Sequence, residues 1–230
     1  MRNRPTPPLS RATRSRIRSP WPGLVALLAC LAWVAPSAAQ TATPTNTPTT
    51  MPNGLAPLAI CAACHGAQGQ GAAAGFPRLA GQNAGYLAQA LSKFKDKSRA
   101  SDIMQPIAQA LTDAQIQQLA AYFSAQPAQA IGATQAPATD QVQAGQQLAR
   151  SGAPGVASCF SCHGSEGRGN GARFPAIVGQ PELFVVARLH EFQARARAGG
   201  AKPGSMTELA AGMTEAQIQA SAAFLSSTAP

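Results

Sequence analysis

Tryptophan is absent after position 33, acidic residues number only nine in 230, and no apolar run is long enough to cross a bilayer. A spanning helix needs roughly 20 consecutive apolar residues, and the longest run, Leu24 to Val34, falls well short. No transmembrane segment is therefore expected. Alternating apolar and polar residues, the mark of a half-buried strand, are also missing over any useful length. The helix remains as the building element.

Residues 1–39 carry six arginines (Arg2, Arg4, Arg11, Arg14, Arg16 and Arg18) and no acid, then the apolar run, then Pro36-Ser37-Ala38-Ala39. This is the n-region, h-region and small-residue cleavage site of a secretory signal peptide. The expected mature chain starts near Gln40 and lies in the periplasm. Leu28-Ala29-Cys30 offers a lipoprotein alternative, but the apolar run continues past it through Trp33 and Val34. Cleavage takes both tryptophans and all six arginines. The formal charge of +9 then becomes 12 basic residues against nine acids, or +3. So small an excess gives no ground for a nucleic-acid partner.

Five cysteines are present, and Cys30 leaves with the signal. Structural disulfides would be the default for the remaining four in an oxidising compartment, but their spacing argues otherwise. At an offset of 98 residues, Cys61-Ala62-Ala63-Cys64-His65-Gly66 falls on Cys159-Phe160-Ser161-Cys162-His163-Gly164. Phe76-Pro77-Arg78-Leu79-Ala80-Gly81-Gln82 falls on Phe174-Pro175-Ala176-Ile177-Val178-Gly179-Gln180 with the same offset. The register holds to Phe94 over Phe192 and then slips by four, so that Met104 meets Met206 and Ile116 meets Ile218. Internal duplication explains the pattern, with a loop insertion expected around Gly199–Gly204 of the second copy.

The expected organisation is a signal peptide (1–39), a Thr/Pro leader (40–53), a first domain (54–125), an Ala/Gln/Pro linker (126–139) and a second domain (140–230). Apolar spacing predicts helices over Tyr86–Phe94, Asp140–Arg150 and Phe184–Phe192. Capping-box signals at Thr112–Gln115 and Thr214–Gln217 start the last helix of each copy. The fold class is all-α. Domains of about 75 to 90 residues have marginal apolar cores, so another component is expected at the centre of each.

Cys-x-x-Cys-His supplies it, as the attachment signature of haem c. Two thiols at this spacing can each add to one haem vinyl group, and the histidine that follows then lies under the iron. A zinc site is disfavoured because paired knuckles sit about 12 to 20 residues apart, and these pairs are nearly a hundred apart. A redox dithiol leaves the two histidines unexplained. Two covalent haems are expected, with His65 and His163 as metal ligands and Cys61, Cys64, Cys159 and Cys162 as tethers.

A methionine thioether would fill the sixth position and raise the reduction potential. Met104 is the one candidate of the first copy; the second offers Met206 and Met213. Repeat register pairs Met206 with Met104 and Met213 with Leu111, which assigns Met206 as ligand and Met213 to the core. Pro77 and Pro175 each lie twelve residues after their histidine. Spacing alone leaves two readings for them, a carbonyl acceptor for the histidine Nδ1–H or a turn-shaping proline. His190 reads as a solvated residue, and Lys93, Lys95, Lys97 and Arg99 read as a solvated basic strip.

With both Cys-x-x-Cys-His-Gly motifs, both Phe-Pro-x-x-x-Gly-Gln segments and both methionine-to-cap segments in place, the chain resembles the dihaem cytochrome c4 family of tandem class I cytochrome c domains. The resemblance covers Gly54 to Phe224. It implies His/Met ligation, proline carbonyl bonds at Pro77 and Pro175, and two facing domains that exchange electrons. Its further implication is single-electron transfer from a quinol-oxidising complex to a periplasmic or membrane acceptor such as a terminal oxidase. A haem subunit of a periplasmic dehydrogenase is the alternative. A dihaem peroxidase would want an open iron position, and a methionine in each half argues against it. The short segment before Cys61, the leader and the insertion depart from the family pattern.

Overall fold

The longer helices follow the apolar periodicity, and the last helix of each copy starts at its capping box. A computed structural model describes residues 57–129, 131 and 137–230. The expected signal peptide with Cys30, the expected leader and part of the expected linker lie outside the described residues. Within them the first copy forms α1 (Leu58–His65), α2 (Ala84–Lys95), α3 (Met104–Gln109) and α4 (Asp113–Ser124). The second forms α5 (Thr139–Ser151), α6 (Cys159–His163), α7 (Glu182–Arg195), α8 (Met206–Ala211) and α9 (Glu215–Ser227). Among the described residues the only extended pairings are isolated bridges, such as Ala72 with Phe76 and its counterpart Asn170 with Phe174.

Each terminal helix starts on a reciprocal capping box. Thr112 Oγ1 accepts from Gln115 N–H while Gln115 Oε1 accepts from Thr112 N–H, and Thr214 and Gln217 repeat the pair. Two helical donors are satisfied locally at each site. Asn83 caps α2 by accepting from Tyr86 N–H, so that the helix begins at Ala84, two residues ahead of the expected boundary.

α4 buries Ile116, Leu119, Ala120 and Phe123 against Leu87 and Ala88 of α2, with Leu58 closing the first core. The second core gathers Leu148 of α5, Leu189 of α7 and Ile218, Phe224 and Leu225 of α9. α5 and α9 cross at Gly145, whose missing side chain lets the backbone of Ala220 approach. A counterpart of α5 would fall on residues 41–53, outside the described residues.

The four-residue insertion is not confined to a loop. α2 spans 12 residues and α7 spans 14, so two of the four lengthen the helix. The other two lengthen the connection to the methionine helix, which leaves helical geometry at Ala198 and Gly199. Helix extension at Arg195 keeps that arginine on the face that also carries Glu191, and their side chains bond at 2.8 Å.

Candidate haem sites and the interface between them

In each copy a short helix delivers the two cysteines and the histidine, and the next glycine ends it. Gly66 and Gly164 adopt φ of +82° and +77°, a region open to glycine and strained for other residues. The chain then folds back, and Gly71 and Gly169 donate to the carbonyls of His65 and His163 at 2.8 and 2.7 Å.

This return brings the Phe-Pro segment over the histidine. His65 Nδ1–H donates to the Pro77 carbonyl at 2.8 Å, and His163 Nδ1–H donates to the Pro175 carbonyl at 2.8 Å. Phe76 and Phe174 meet their histidines edge-on, with ring centroids 6.3 and 6.1 Å away. Both imidazoles are buried, and burial pulls their pKa below the usual value more strongly than the proline carbonyl raises it. A neutral ring that donates from Nδ1 keeps the Nε2 lone pair for a metal.

The four thiols are not bridged to one another. Burial raises the pKa of Cys61 and pushes that of Cys159 up to about 11. Met104 and Met206 are the first residues of α3 and α8, so the two candidate ligands occupy equivalent places at the start of equivalent six-residue helices. Met213 is buried in the second core.

Arg99 departs from the sequence reading as a solvated residue. Lys93 and Lys97 are exposed and Lys95 pairs with Asp113 at 2.7 Å, but Arg99 turns inward over the Phe94 ring, 4.4 Å from its centroid. Its Nε is buried without a partner. Arg188 and Arg195 of the second copy lie nearby and both pair with Glu191. The pKa of Arg188 is pulled down by burial first and by the positive charge of Arg99 second. Two guanidiniums thus share the Glu191 carboxylate and Arg99 adds a third positive charge close by, an excess that suits further carboxylates. The propionates of haem are such groups. Together with paired thiols and neutral buried histidines, this donor set fits haem c.

The two copies also clasp each other directly. Gln180 Oε1 accepts from the Arg78 N–H and its Nε2 donates to the Arg78 carbonyl, both at 3.0 Å. Gln82 does the same to Ala176, both at 2.9 Å. The Arg78 side chain is 2 % exposed and donates to Val178 at 2.9 Å, to Gly179 at 3.3 Å and to Ala80. In the sequence Gln82 and Gln180 are visible only as repeat matches, and Arg78 falls on Ala176 in the second copy.

The family model described as cytochrome c matches residues 54–126 and 142–229. A solved structure of cytochrome c4 from Acidithiobacillus ferrooxidans aligns with a TM-score of 0.64 and 35% identity, over 74% of this chain and 99% of that one. The chain belongs to the cytochrome c4 family. The chain is also 39% identical over 178 residues to the thiosulfate dehydrogenase electron acceptor of Stutzerimonas stutzeri, covering 74% of this chain and 80% of that protein. It also aligns with the thiosulfate dehydrogenase TsdBA of Marichromatium purpuratum, with a TM-score of 0.64 and 32% identity, over 73% of this chain and 36% of that one. Like other members of this tandem all-helical family, it is a cytochrome c electron carrier. Among the described residues no helix is long and apolar enough to cross a membrane.

Proposed function

We propose that this cytochrome holds one haem c in each domain and works in the periplasm as the electron acceptor of a thiosulfate dehydrogenase, passing single electrons to a terminal acceptor. The observation that carries the partner is the 39% identity to a thiosulfate dehydrogenase electron acceptor. Cys61, Cys64 and His65 would hold the first haem with Met104, and Cys159, Cys162 and His163 the second with Met206. Haem c supplies the one-electron couple. The protein's part is to keep each histidine neutral by burial, to fix its ring on a proline carbonyl and to present a thioether that favours the reduced state. With a methionine at the matching place in each half, peroxide chemistry has no open position to use.

The periplasmic location rests on the signal-peptide pattern of residues 1–39. Mass spectrometry of the matured protein should give the chain from Gln40 plus two haems, with no free thiol. In rapid mixing, thiosulfate and a purified thiosulfate dehydrogenase should reduce both haems within the enzyme's turnover time. If a quinol-oxidising complex reduces them and the dehydrogenase does not, the chain is a respiratory carrier and the partner assignment falls.

A further inference from the structure

The hydrogen bonds that fix the two histidines do not end at the prolines. The carbonyl of Pro77 and the N–H of Arg78 belong to one peptide group. At one end that group accepts from His65 Nδ1 at 2.8 Å; at the other it donates to Gln180 Oε1 at 3.0 Å. The peptide between Pro175 and Ala176 is placed in the same way, between His163 Nδ1 at 2.8 Å and Gln82 Oε1 at 2.9 Å. Each glutamine therefore lies in the domain opposite the histidine it reaches.

The geometry points to a crossed relay, in which Gln180 of the second domain tunes the first haem and Gln82 of the first domain tunes the second. This rests on the reading of His65 and His163 as proximal ligands. An amide that donates from its N–H places more negative charge on its carbonyl oxygen, because bonds in a chain polarise one another in a low-dielectric setting. The oxygen then draws harder on the histidine Nδ1–H, and the ring becomes a stronger donor to a bound metal. A stronger donor favours the oxidised state, so an intact relay holds the potential down.

Burial makes the glutamines suited to this role. Gln82 and Gln180 are 3 % and 5 % exposed, so solvent does not compete for the peptide N–H. The paired contact from Nε2 to the next carbonyl, 2.9 Å for Gln82 and 3.0 Å for Gln180, holds the chain at a second point. Only one amide orientation satisfies both contacts. Gln82 and Gln180 are positioning residues, acting through a peptide on a ligand that neither touches. Since both relays cross the interface, domain docking and the two potentials are linked.

Gln180→Met and Gln82→Met keep side-chain length and remove both polar contacts. Two observables separate the relay from a merely structural role: the Nδ1–H proton resonances of the two histidines in the reduced holoprotein, and the two midpoint potentials. In Gln180→Met the His65 resonance should move upfield and the first haem's potential should rise, with His163 and the second haem unmoved. Gln82→Met should reverse the pattern, and either variant decides the question if the other fails to mature. Equal shifts at both haems, or a shift confined to the haem of the substituted domain, overturn the relay. Wild-type protein is checked first for its two-haem mass and its ferric methionine–iron band. Their absence overturns the ligand assignment itself; their presence with unmoved resonances in the variants overturns the relay alone.

Discussion

Gly145 on α5 lies directly against the backbone of Ala220 on α9. A Cβ added to it would sit 1.9 Å from the Ala220 carbonyl oxygen and 2.6 Å from the carbonyl carbon. Backbone cannot move aside as a flexible side chain can, so Gly145→Ala must part the helices that carry Leu148 and Phe224. Overpacking of this kind costs about 1 to 3 kcal/mol, and the better helix propensity of alanine returns at most about 1 kcal/mol. A net loss of about 1 to 2 kcal/mol is expected in the second domain, measured by denaturant unfolding followed in the haem absorption. An unchanged midpoint would mean that the crossing is loose.

Arg78 holds the domains together with a charge that has no carboxylate partner among its hydrogen bonds. Arg78→Ala removes the donor that reaches Val178 and Gly179, and buried carbonyls left without a donor cost about 1 to 3 kcal/mol each unless water enters. Because these contacts lie between domains, the expected result is partial separation with both haem spectra retained. Small-angle scattering should report a larger radius of gyration. Unchanged scattering would leave the two glutamine clasps as sufficient for docking.

Thr112 and Thr214 make equivalent capping boxes, so their substitutions test whether the duplicated helices are equally dependent on them. Thr112→Ala and Thr214→Ala should each lower stability by about 1 kcal/mol. Serine at either position retains the hydroxyl and should recover most of that loss. Thermal melts of the holoproteins decide it, and a neutral alanine variant would show that packing alone holds the helix start.

What could be read from sequence was local or repeated. Helices, capping boxes and both Cys-x-x-Cys-His motifs depend on residues within a few positions of one another, and duplication checked each of them twice. The interface depends instead on pairs about a hundred residues apart, such as Arg78 with Gln180. No periodicity encodes such a pair. Arg99 misled for a related reason: spacing placed it with three lysines, while it turns over the Phe94 ring and lies close enough to Arg188 of the other copy for their charges to interact. The insertion falls within a few residues of the place that the repeat register gives it, but it is divided between helix and loop, with Arg195 of the added helical residues pairing with Glu191.

The distal ligand of the second haem is the assignment most open to a decisive test. Met206 begins α8 as Met104 begins α3, and it is only half-buried, packed at the edge of the second core. Met213 lies two residues beyond the end of α8, is 6 % exposed within that core, and its carbonyl accepts from Gln193 Nε2 at 2.9 Å. That bond, with a second from the same amide to Ala210 at 3.0 Å, ties the Met213 backbone to α7. Loss of the Met206 thioether should open the iron to water or another ligand and lower the potential of the second haem. Met213→Leu is a near volume-conserving core swap, expected to cost under about 1.5 kcal/mol and to leave the spectrum unchanged. The weak charge-transfer band at the red end of the ferric spectrum reports iron–thioether bonding at both haems together. It should fall by half in Met206→Ala and persist in Met213→Leu. The opposite outcome would make Met213 the ligand and show that helix-for-helix equivalence between α3 and α8 does not extend to the metal.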